Sequence, residues 1–419
     1  MFNFKYSLKL RYLTLRYKLK FNSSTSCYNS HRDLHTVLGI ESSCDDTGVA
    51  VVNSKKQILG ESLHNQGRSH REFGGIIPTL ARDFHQQNID GLVSDALKQA
   101  ELNIQDVDAI AVSVKPGLTL SLLVGLEHAK ALCHQHKKTL IPIHHMEAHA
   151  LTARLSNHVE FPYLVMLMSG GHCLLAVVEG VDKFKLLGTC LDTSPGDMLD
   201  KTARRLKLKL LPELAAYSGG AAIEKLAVKG DPHSIKFSHV MSTTLDCNFS
   251  FAGLQFQARK KIEMEEAKMG SSAAGSVIPN LENMCASIQL AILNHMAKRL
   301  YRAFMFCDMK GLLPESNRSL VLSGGVASNL FIRDGLTHIA NQFDCDVSCP
   351  PPRLCTDNGV MVAWNGVEKI MKGIDLDVNM DDIKVAHRSP LGVSMVEEVN
   401  KAHLKVGRIR FPYLKQETS

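Results

Sequence analysis

Apolar residues in this chain come largely in short runs closed off by glycine and small polar residues. Runs of that length between turn signals predict buried strands. Thr36-Val37-Leu38-Gly39-Ile40 is the first. A polar turn from Glu41 to Thr47 leads to a second, Gly48-Val49-Ala50-Val51-Val52, and Asn53-Ser54-Lys55-Lys56 turns into Gln57-Ile58-Leu59. The period then changes: Ile89, Leu92, Val93, Ala96, Leu97 and Ala100 recur at helical intervals. A strand at 109–113, a helix at about 119–135, a strand at 139–143 and a helix carrying His145 and His149 follow.

The chain then restarts in the same way. Residues 163–168 predict a strand, Ser169-Gly170-Gly171-His172 a turn, and 173–179 the returning strand. Residues 36–52 and 163–179 are therefore similar strand–turn–strand modules, which points to a duplicated architecture. The region 200–312 reads as largely helical, with a polar loop at 268–276. A strand at 319–322, a helix at 326–339, a strand at 344–348, a loop at 349–356 and a helix at 357–372 complete an alternating α/β pattern. The tail beyond about 375 reads as irregular and peripheral.

Composition narrows the class. The chain has 419 residues, 45% hydrophobic and 21% charged, ordinary for a soluble globular protein of two domains. No apolar run reaches the length of about 20 residues that spans a bilayer, so no membrane insertion is expected. The formal charge of +6 is concentrated at one end. Residues 1–34 hold Lys5, Lys9, Arg11, Arg16, Lys18, Lys20 and Arg32 against the single acid Asp33; taking these from the totals of 48 and 42 leaves 41 basic and 41 acidic residues. That N-terminus is acid-poor and ends in Ser23-Ser24-Thr25-Ser26, as mitochondrial transit peptides do. Eleven cysteines are scattered without a Cys-x-x-Cys pair, and no disulfide is expected.

Three Ser-Gly-Gly turns, at Ser169, Ser218 and Ser323, fall at strand or helix ends. Glycine lets a ligand approach the backbone closely, and amides at such turns cradle phosphate. Together they point to a nucleotide cleft between two lobes. His145 and His149 lie four apart, on one face of a helix, where they suit one cation or equally a solvated histidine-rich turn. Met146 stands where the metalloprotease pattern needs its glutamate. Asp357, at a helix start, is either a third ligand or an N-cap. The acids and hydroxyls of the turn Glu41-Ser42-Ser43-Cys44-Asp45-Asp46-Thr47-Gly48 could hold a metal or an attacking group beside phosphate, or form a simple polar hairpin turn; Asp45 and Asp46 are the candidates for catalysis. Asp200 suits ribose hydroxyls or a helix first turn, and Asn329 a base or phosphate, or an ordinary surface amide.

The order of these motifs resembles the tRNA N6-adenosine threonylcarbamoyltransferase family, whose members once carried the name O-sialoglycoprotein endopeptidase. The resemblance spans about residues 36–372. It rests on Gly39-Ile40-Glu41-Ser42-Ser43-Cys44-Asp45-Asp46-Thr47, Gly74-Gly75-Ile76-Ile77-Pro78, Pro116-Gly117 through Gly125, His145-Met146-Glu147-Ala148-His149 and Ser169-Gly170-Gly171-His172. Gly196 to Lys201, Asn248-Phe249-Ser250-Phe251-Ala252-Gly253-Leu254, Gly324 to Asn329 and Leu354 to Asn358 complete it. Asp197, Ser218 and Ala221 depart from the common pattern, and the wording from Pro195 to Asp200 is that of the mitochondrial branch.

The resemblance implies an α/β, two-lobed actin/Hsp70/sugar-kinase-like fold with the active site in the interlobe cleft. The lobes would be 35–160 and 161–375, the latter with a helical insertion, after a transit peptide at 1–34 and before a tail at 376–419. It implies one divalent metal ion per subunit, zinc or iron, on His145, His149 and Asp357. It places the substrate nucleotide against Leu167, Met168, Ser169, Gly170, Gly171, Asp200, Gly220, Glu224 and Asn329. The implied reaction moves threonylcarbamoyl from threonylcarbamoyl-AMP, supplied by a separate synthase, to N6 of adenosine 37 in mitochondrial tRNAs reading ANN codons. Partners would be tRNA and a second copy of the chain, in the mitochondrial matrix. The competing readings are an ATPase or kinase of the same fold class, a metalloprotease, and a tRNA-binding scaffold. Arg204, Arg205, Lys207 and Lys209, or Arg259, Lys260 and Lys261, are candidate RNA-binding clusters.

Overall fold

The computed structural model describes residues 34–73, 75–270 and 277–411. The basic N-terminal stretch, Gly74 and residues 271–276 of the polar loop lie outside them.

The chain opens with β1 (Thr36–Glu41), β2 (Asp46–Asn53) and β3 (Ile58–Asn65), an antiparallel meander. After α1 (Gly67–Glu72) and α2 (Pro78–Gln99) it adds β4 (Ala109–Lys115), then α3 (Thr119–His136) and β5 (Thr139–His144), both strands parallel to β1. Two short helices follow, α4 (His145–Leu151) and α5 (Ala153–Ser156). A second meander is built from β6 (Tyr163–Met168), β7 (Cys173–Val178) and β8 (Phe184–Thr189). Next come α6 (Pro195–Arg205), α7 (Gly219–Ala227), α8 (Ala252–Met269) and α9 (Leu281–Lys310). Then β9 (Arg318–Ser323), α10 (Leu330–Asn341), β10 (Cys345–Ser348), α11 (Pro352–Cys355) and α12 (Gly359–Lys372) alternate. The chain closes with β11 (Val393–Ser394) and α13 (Val396–Lys401).

Strand order makes the duplication explicit. One sheet runs β3-β2-β1-β4-β5, the other β10-β9-β6-β7-β8-β11. Read from its other end, the second repeats the first, with β11 added at the edge. Successive side chains on a strand face opposite ways, and here both faces are covered. On β1, Leu38 and Ile40 pack with α2 and α3, whereas Val37 faces inward. On β6, Leu164, Met166 and Met168 pack with α6 to α10, whereas Val165 and Leu167 face inward. Between the inward faces lie α4 and α12, contributing Ala148, Leu151, Met361 and Trp364 to one shared core. A strand buried on both faces reads as a continuous apolar run, which is why these strands were visible in the sequence.

Four expectations change. Residues 326–339 do not form one helix: Gly325–Ser328 is a single 3-10 turn, and the Asn329 side chain accepts from Ile332 N to start α10 afresh. Residues 228–251 have no helix, in keeping with their Asp, Pro, Ser and Thr content. β8 is an additional strand. The tail is not irregular throughout, because β11 pairs with β8 and the fully buried Val399 joins the core.

Where α12 meets β1, backbone touches backbone. A Cβ on Gly39 would lie 2.6 Å from Ala363 Cα and from Gly359 O. Gly39→Ala is expected to cost about 2–3 kcal/mol, since neither neighbour is a flexible side chain. Gly91→Ala, on α2 with open space around it, is expected to stabilise by about 0.5–1 kcal/mol. Urea denaturation of the two variants checks both signs.

Candidate metal and nucleotide site

Two helix starts meet at the centre of the molecule. α4 begins at His145, where the His144 side chain caps Met146 N. Its other end is tied down by Tyr163 Oη and Trp364 Nε1, which donate to the carbonyls of Ala150 and Leu151 at 3.0 and 3.2 Å. α12 is capped by Asn358, whose Oδ1 accepts from Met361 N at 2.9 Å. Asp357 is therefore not the cap. Its Oδ1 lies 3.0 Å from His149 Nε2 and 3.5 Å from His145 Nε2. The three side chains offer ligand atoms all within 4.8 Å of one another, the donor set of two imidazoles and a carboxylate that suits a divalent cation. The solvated-turn alternative fails, because both imidazoles are almost fully buried, at 4% and 2% exposure.

One member of the site was not singled out by sequence reasoning, which placed it only among the acids of the polar turn. Glu41, at the end of β1, is completely buried and accepts from Ser43 N at 2.6 Å and from the Ser113 hydroxyl. Its Oε2 lies 3.1 Å from His145 Nδ1, beside Ser43 Oγ at 3.1 Å from the same nitrogen. A carboxylate on one imidazole nitrogen orients the other toward a metal. Burial would raise the Glu41 carboxyl, but His145 holds it below its ordinary value. Burial likewise opposes charge on His145, yet Glu41 and Asp357 push it up to about 9. Asp357 is held low by the histidines despite its burial. The available signal was an acid at the end of an otherwise apolar strand.

The glycine turns converge on this centre. Ser169-Gly170-Gly171-His172 joins β6 to β7, and its His172 ring stands 6.4 Å from that of His145. The parallel register sets Leu167 beside Ser323, so the Gly324-Gly325 turn lies alongside, and a Cβ on Gly325 would meet Thr356 at 3.9 Å. Nothing lies within 4 Å of a Cβ added to Gly170 or Gly171, which leaves room for a ligand. The Gly171 amide is turned to Ser169 Oγ at 3.3 Å, and the Ser194 hydroxyl donates to the Gly170 carbonyl. Leu167 and Met168 bury their side chains in the cores on opposite faces of the sheet, so only their main chain remains for a substrate.

The other nucleotide candidates form a connected rim. Asp200 binds the backbone amides of Gly219 and Gly220, and burial raises its carboxyl. Glu224 accepts from Leu330 N at 2.7 Å. Asn329 is buried, donating to Gln289 Oε1 at 2.6 Å and capping α10, so it is not a surface amide.

Asp45 and Asp46 lie in the β1–β2 turn. Asn65 Nδ2 donates to Asp46 at 2.7 Å. Burial, with the charges of Asp45, Asp357 and Glu41, pushes the Asp46 carboxyl up to about 8. The protease reading fares worse: Met146 is only 3% exposed and belongs to the core. In the two basic clusters, four of the seven cations share two glutamates. Arg205 and Lys207 pair with Glu266, Arg259 and Lys260 with Glu263.

Comparison with known proteins agrees with the motif order. A family model described as tRNA N6-adenosine threonylcarbamoyltransferase matches residues 57–364. The mitochondrial tRNA N6-adenosine threonylcarbamoyltransferases of Mus musculus and Homo sapiens are 50% and 48% identical over 374 residues, 89% of this chain and 90% of each relative. The tRNA N6-adenosine threonylcarbamoyltransferase of Rhodospirillum rubrum is 38% identical over 361 residues, 85% of this chain and 94% of that protein. Among solved structures, HypF of T. kodakarensis matches with a TM-score of 0.51 at 15% identity, over 82% of this chain and 49% of that one. That likeness concerns the fold, which is the actin/Hsp70/sugar-kinase type. No helix among the described residues is long and apolar enough to cross a membrane. The chain belongs to the tRNA N6-adenosine threonylcarbamoyltransferase family and is a transferase of its mitochondrial group.

Proposed function

We propose that the protein transfers threonylcarbamoyl from threonylcarbamoyl-AMP to N6 of adenosine 37 in mitochondrial tRNAs reading ANN codons, in the matrix. The observation that carries this reading is the meeting of His145, His149 and Asp357 with the open Gly170-Gly171 turn. The turn suits the adenylate phosphate, with Leu167 and Met168 lending main chain and Ser169 holding its shape. Asp200, Gly220, Glu224 and Asn329 would line the nucleoside end. The lobes would be 35–160 and 161–375, with 376–419 as a tail and 1–34 as the targeting segment.

In the reaction the N6 amine attacks the carbamoyl carbon, the bond from that carbon to the phosphate oxygen breaks, and AMP leaves. The amine loses one proton. Asp46, pushed up to about 8, is matched to take it near neutral pH, with Asp45 beside it. The exocyclic amine is a weak nucleophile, so positioning contributes much of the rate. A divalent cation held by the two Nε2 atoms and Asp357, zinc or iron by donor type, would polarise the phosphate or carbamoyl oxygens. Glu41 would keep His145 turned toward it. A separate synthase would supply the adenylate, and the working unit would be a homodimer with one ion per subunit.

Replacing both His145 and His149 by alanine is expected to reduce bound metal to background and abolish transfer. Elemental analysis and nucleoside mass spectrometry test the two effects separately; full transfer without metal would sink the proposal. Glu41→Gln is expected to weaken metal affinity about 10–100-fold, measured by competition with a chelator. For Asp46→Asn, kcat is expected to fall about 100-fold or more with metal content unchanged. In the wild type the base acts when ionised, so kcat/KM rises with pH through about 8; that rise should vanish in the variant.

A further inference from the structure

A large cavity is lined by none of His145, His149 and Asp357. It holds about 770 Å³ beneath the irregular segment 232–245, against α9 and the C-terminal residues 405–408. α9 supplies Lys298, Arg299 and Arg302, the segment supplies Lys236 and His239, and the C-terminal stretch supplies Lys405 and Arg408. No aspartate or glutamate among the described residues lines it. In a chain whose residues beyond 34 carry equal numbers of acids and bases, that is a sharp local segregation of charge.

The deepest cations are held by main-chain carbonyls, with the Asp246 carboxylate acting on them at longer range. Arg299, 2% exposed, donates through Nε to Asn248 O at 3.1 Å and through Nη2 to Met241 O at 3.2 Å. Arg302 donates to Leu404 O at 2.9 Å and Asp246 O at 2.5 Å. The Asp246 carboxylate itself is engaged by Asn248 N and Nδ2, both at 3.0 Å. Main-chain carbonyls satisfy the guanidinium protons, and the single Asp246 charge offsets only part of the two positive ones. Burial and the neighbouring Arg302 accordingly push Arg299 down to about 10. Burial and the same arginines lower Lys298 as well.

The cavity wall also holds a buried imidazole. His295, 4% exposed, lines the cavity, and its Nε2 accepts from Ser250 N at 3.1 Å. A neutral imidazole that accepts at Nε2 carries its proton on Nδ1. That buried Nδ1 has no hydrogen-bond partner, and an unmatched buried donor is costly. Arginine and lysine side chains gathered round one concavity with no carboxylate in its wall are what a phosphate oxygen needs. The volume exceeds that of a lone ion and falls in the range of sites for whole ligands.

We propose that this cavity is a phosphate seat for the RNA backbone, a second point of contact for the tRNA substrate. The proposal rests on the transferase reading for the identity of the RNA. Position favours RNA over a free nucleotide. Ser250, which donates its N–H to His295, also donates its hydroxyl to Asp192 at 2.5 Å, and Phe251 N donates to Asp192 at 2.9 Å. Asp192 is two residues from Ser194, which holds the Gly170 carbonyl. The seat thus adjoins the loop that supports the candidate nucleotide turn, where a polynucleotide can engage both.

The test uses the full chain and a triple variant, Lys236→Gln, Lys298→Gln and Arg408→Gln, which leaves the candidate active site untouched. Binding of unmodified mitochondrial tRNA is measured from 50 to 300 mM salt, with inorganic phosphate titrated separately and transfer followed at saturating tRNA. The variant is expected to bind tRNA at least about tenfold more weakly. Its slope of log affinity against log salt should be shallower by about 2–3, and turnover at saturating tRNA should be retained. Unchanged tRNA affinity and slope in a folded variant would overturn the proposal. So would loss of phosphate binding alone, which marks a small-anion site. If the wild type binds tRNA but transfers nothing, the transferase reading fails while the seat stands on its binding result. If the wild type does not bind tRNA at all, both fail.

Discussion

A buried carboxylate that needs a partner governs the centre of this molecule. Glu41 ends β1 inside the protein, where an unpaired charge would be strongly unfavourable. It is offset by the Ser43 amide, the Ser113 hydroxyl and His145. Those contacts also fix His145 with Nδ1 inward and Nε2 toward Asp357. One ionisable group that the core tolerates only when paired therefore sets the orientation of the first metal-binding candidate.

The second constraint is backbone proximity. α12 can lie against β1 and β2 only because Gly39, facing Ala363, and Gly359, facing Val49 and Ala50, carry no side chain. That packing brings the start of α12, and Asp357 with it, under His149. Both helix starts sit between two sheets and share one core with their inward faces, so the three ligand candidates ride on elements with little freedom to drift. Sites built on rigid elements hold their geometry better than sites on loops. The glycine turns complete the arrangement from the edge of the second sheet, where function can tolerate the exposure of Gly170 and Gly171.

What was legible in the sequence follows from this architecture. Fully buried strands announce themselves as apolar runs, so β1, β2, β4, β6 and β9 and the repeat of the meander could be read directly. Phe184–Thr189 could not, because lysine and glycine interrupt a short strand near the sheet edge. Asp357 illustrates a subtler limit. Asp and Asn adjoin at a helix start, either is a good cap, and only the three-dimensional structure assigns the cap to Asn358 and leaves Asp357 for the histidines. Glu41 was hidden for a related reason: an acid at a strand end looks like the start of a turn until its partners, more than 70 and 100 residues away, are seen.

Charge shows the same gap between composition and field. Equal numbers of acids and bases beyond residue 34 appear to argue against a polyanionic substrate, and the two lysine–arginine clusters visible along the sequence turn out to face glutamates. The unmatched cations come instead from three separated stretches, 232–245, α9 and 405–408, and only folding gathers them around one cavity. A potential depends on where charges lie relative to one another and to low-dielectric walls, not on their sum. A neutral chain can therefore present a strongly positive concavity, provided its acids are spent elsewhere on pairing. Here Glu263 and Glu266 of α8 pair with four of the seven cations in the clusters that the sequence had made most conspicuous.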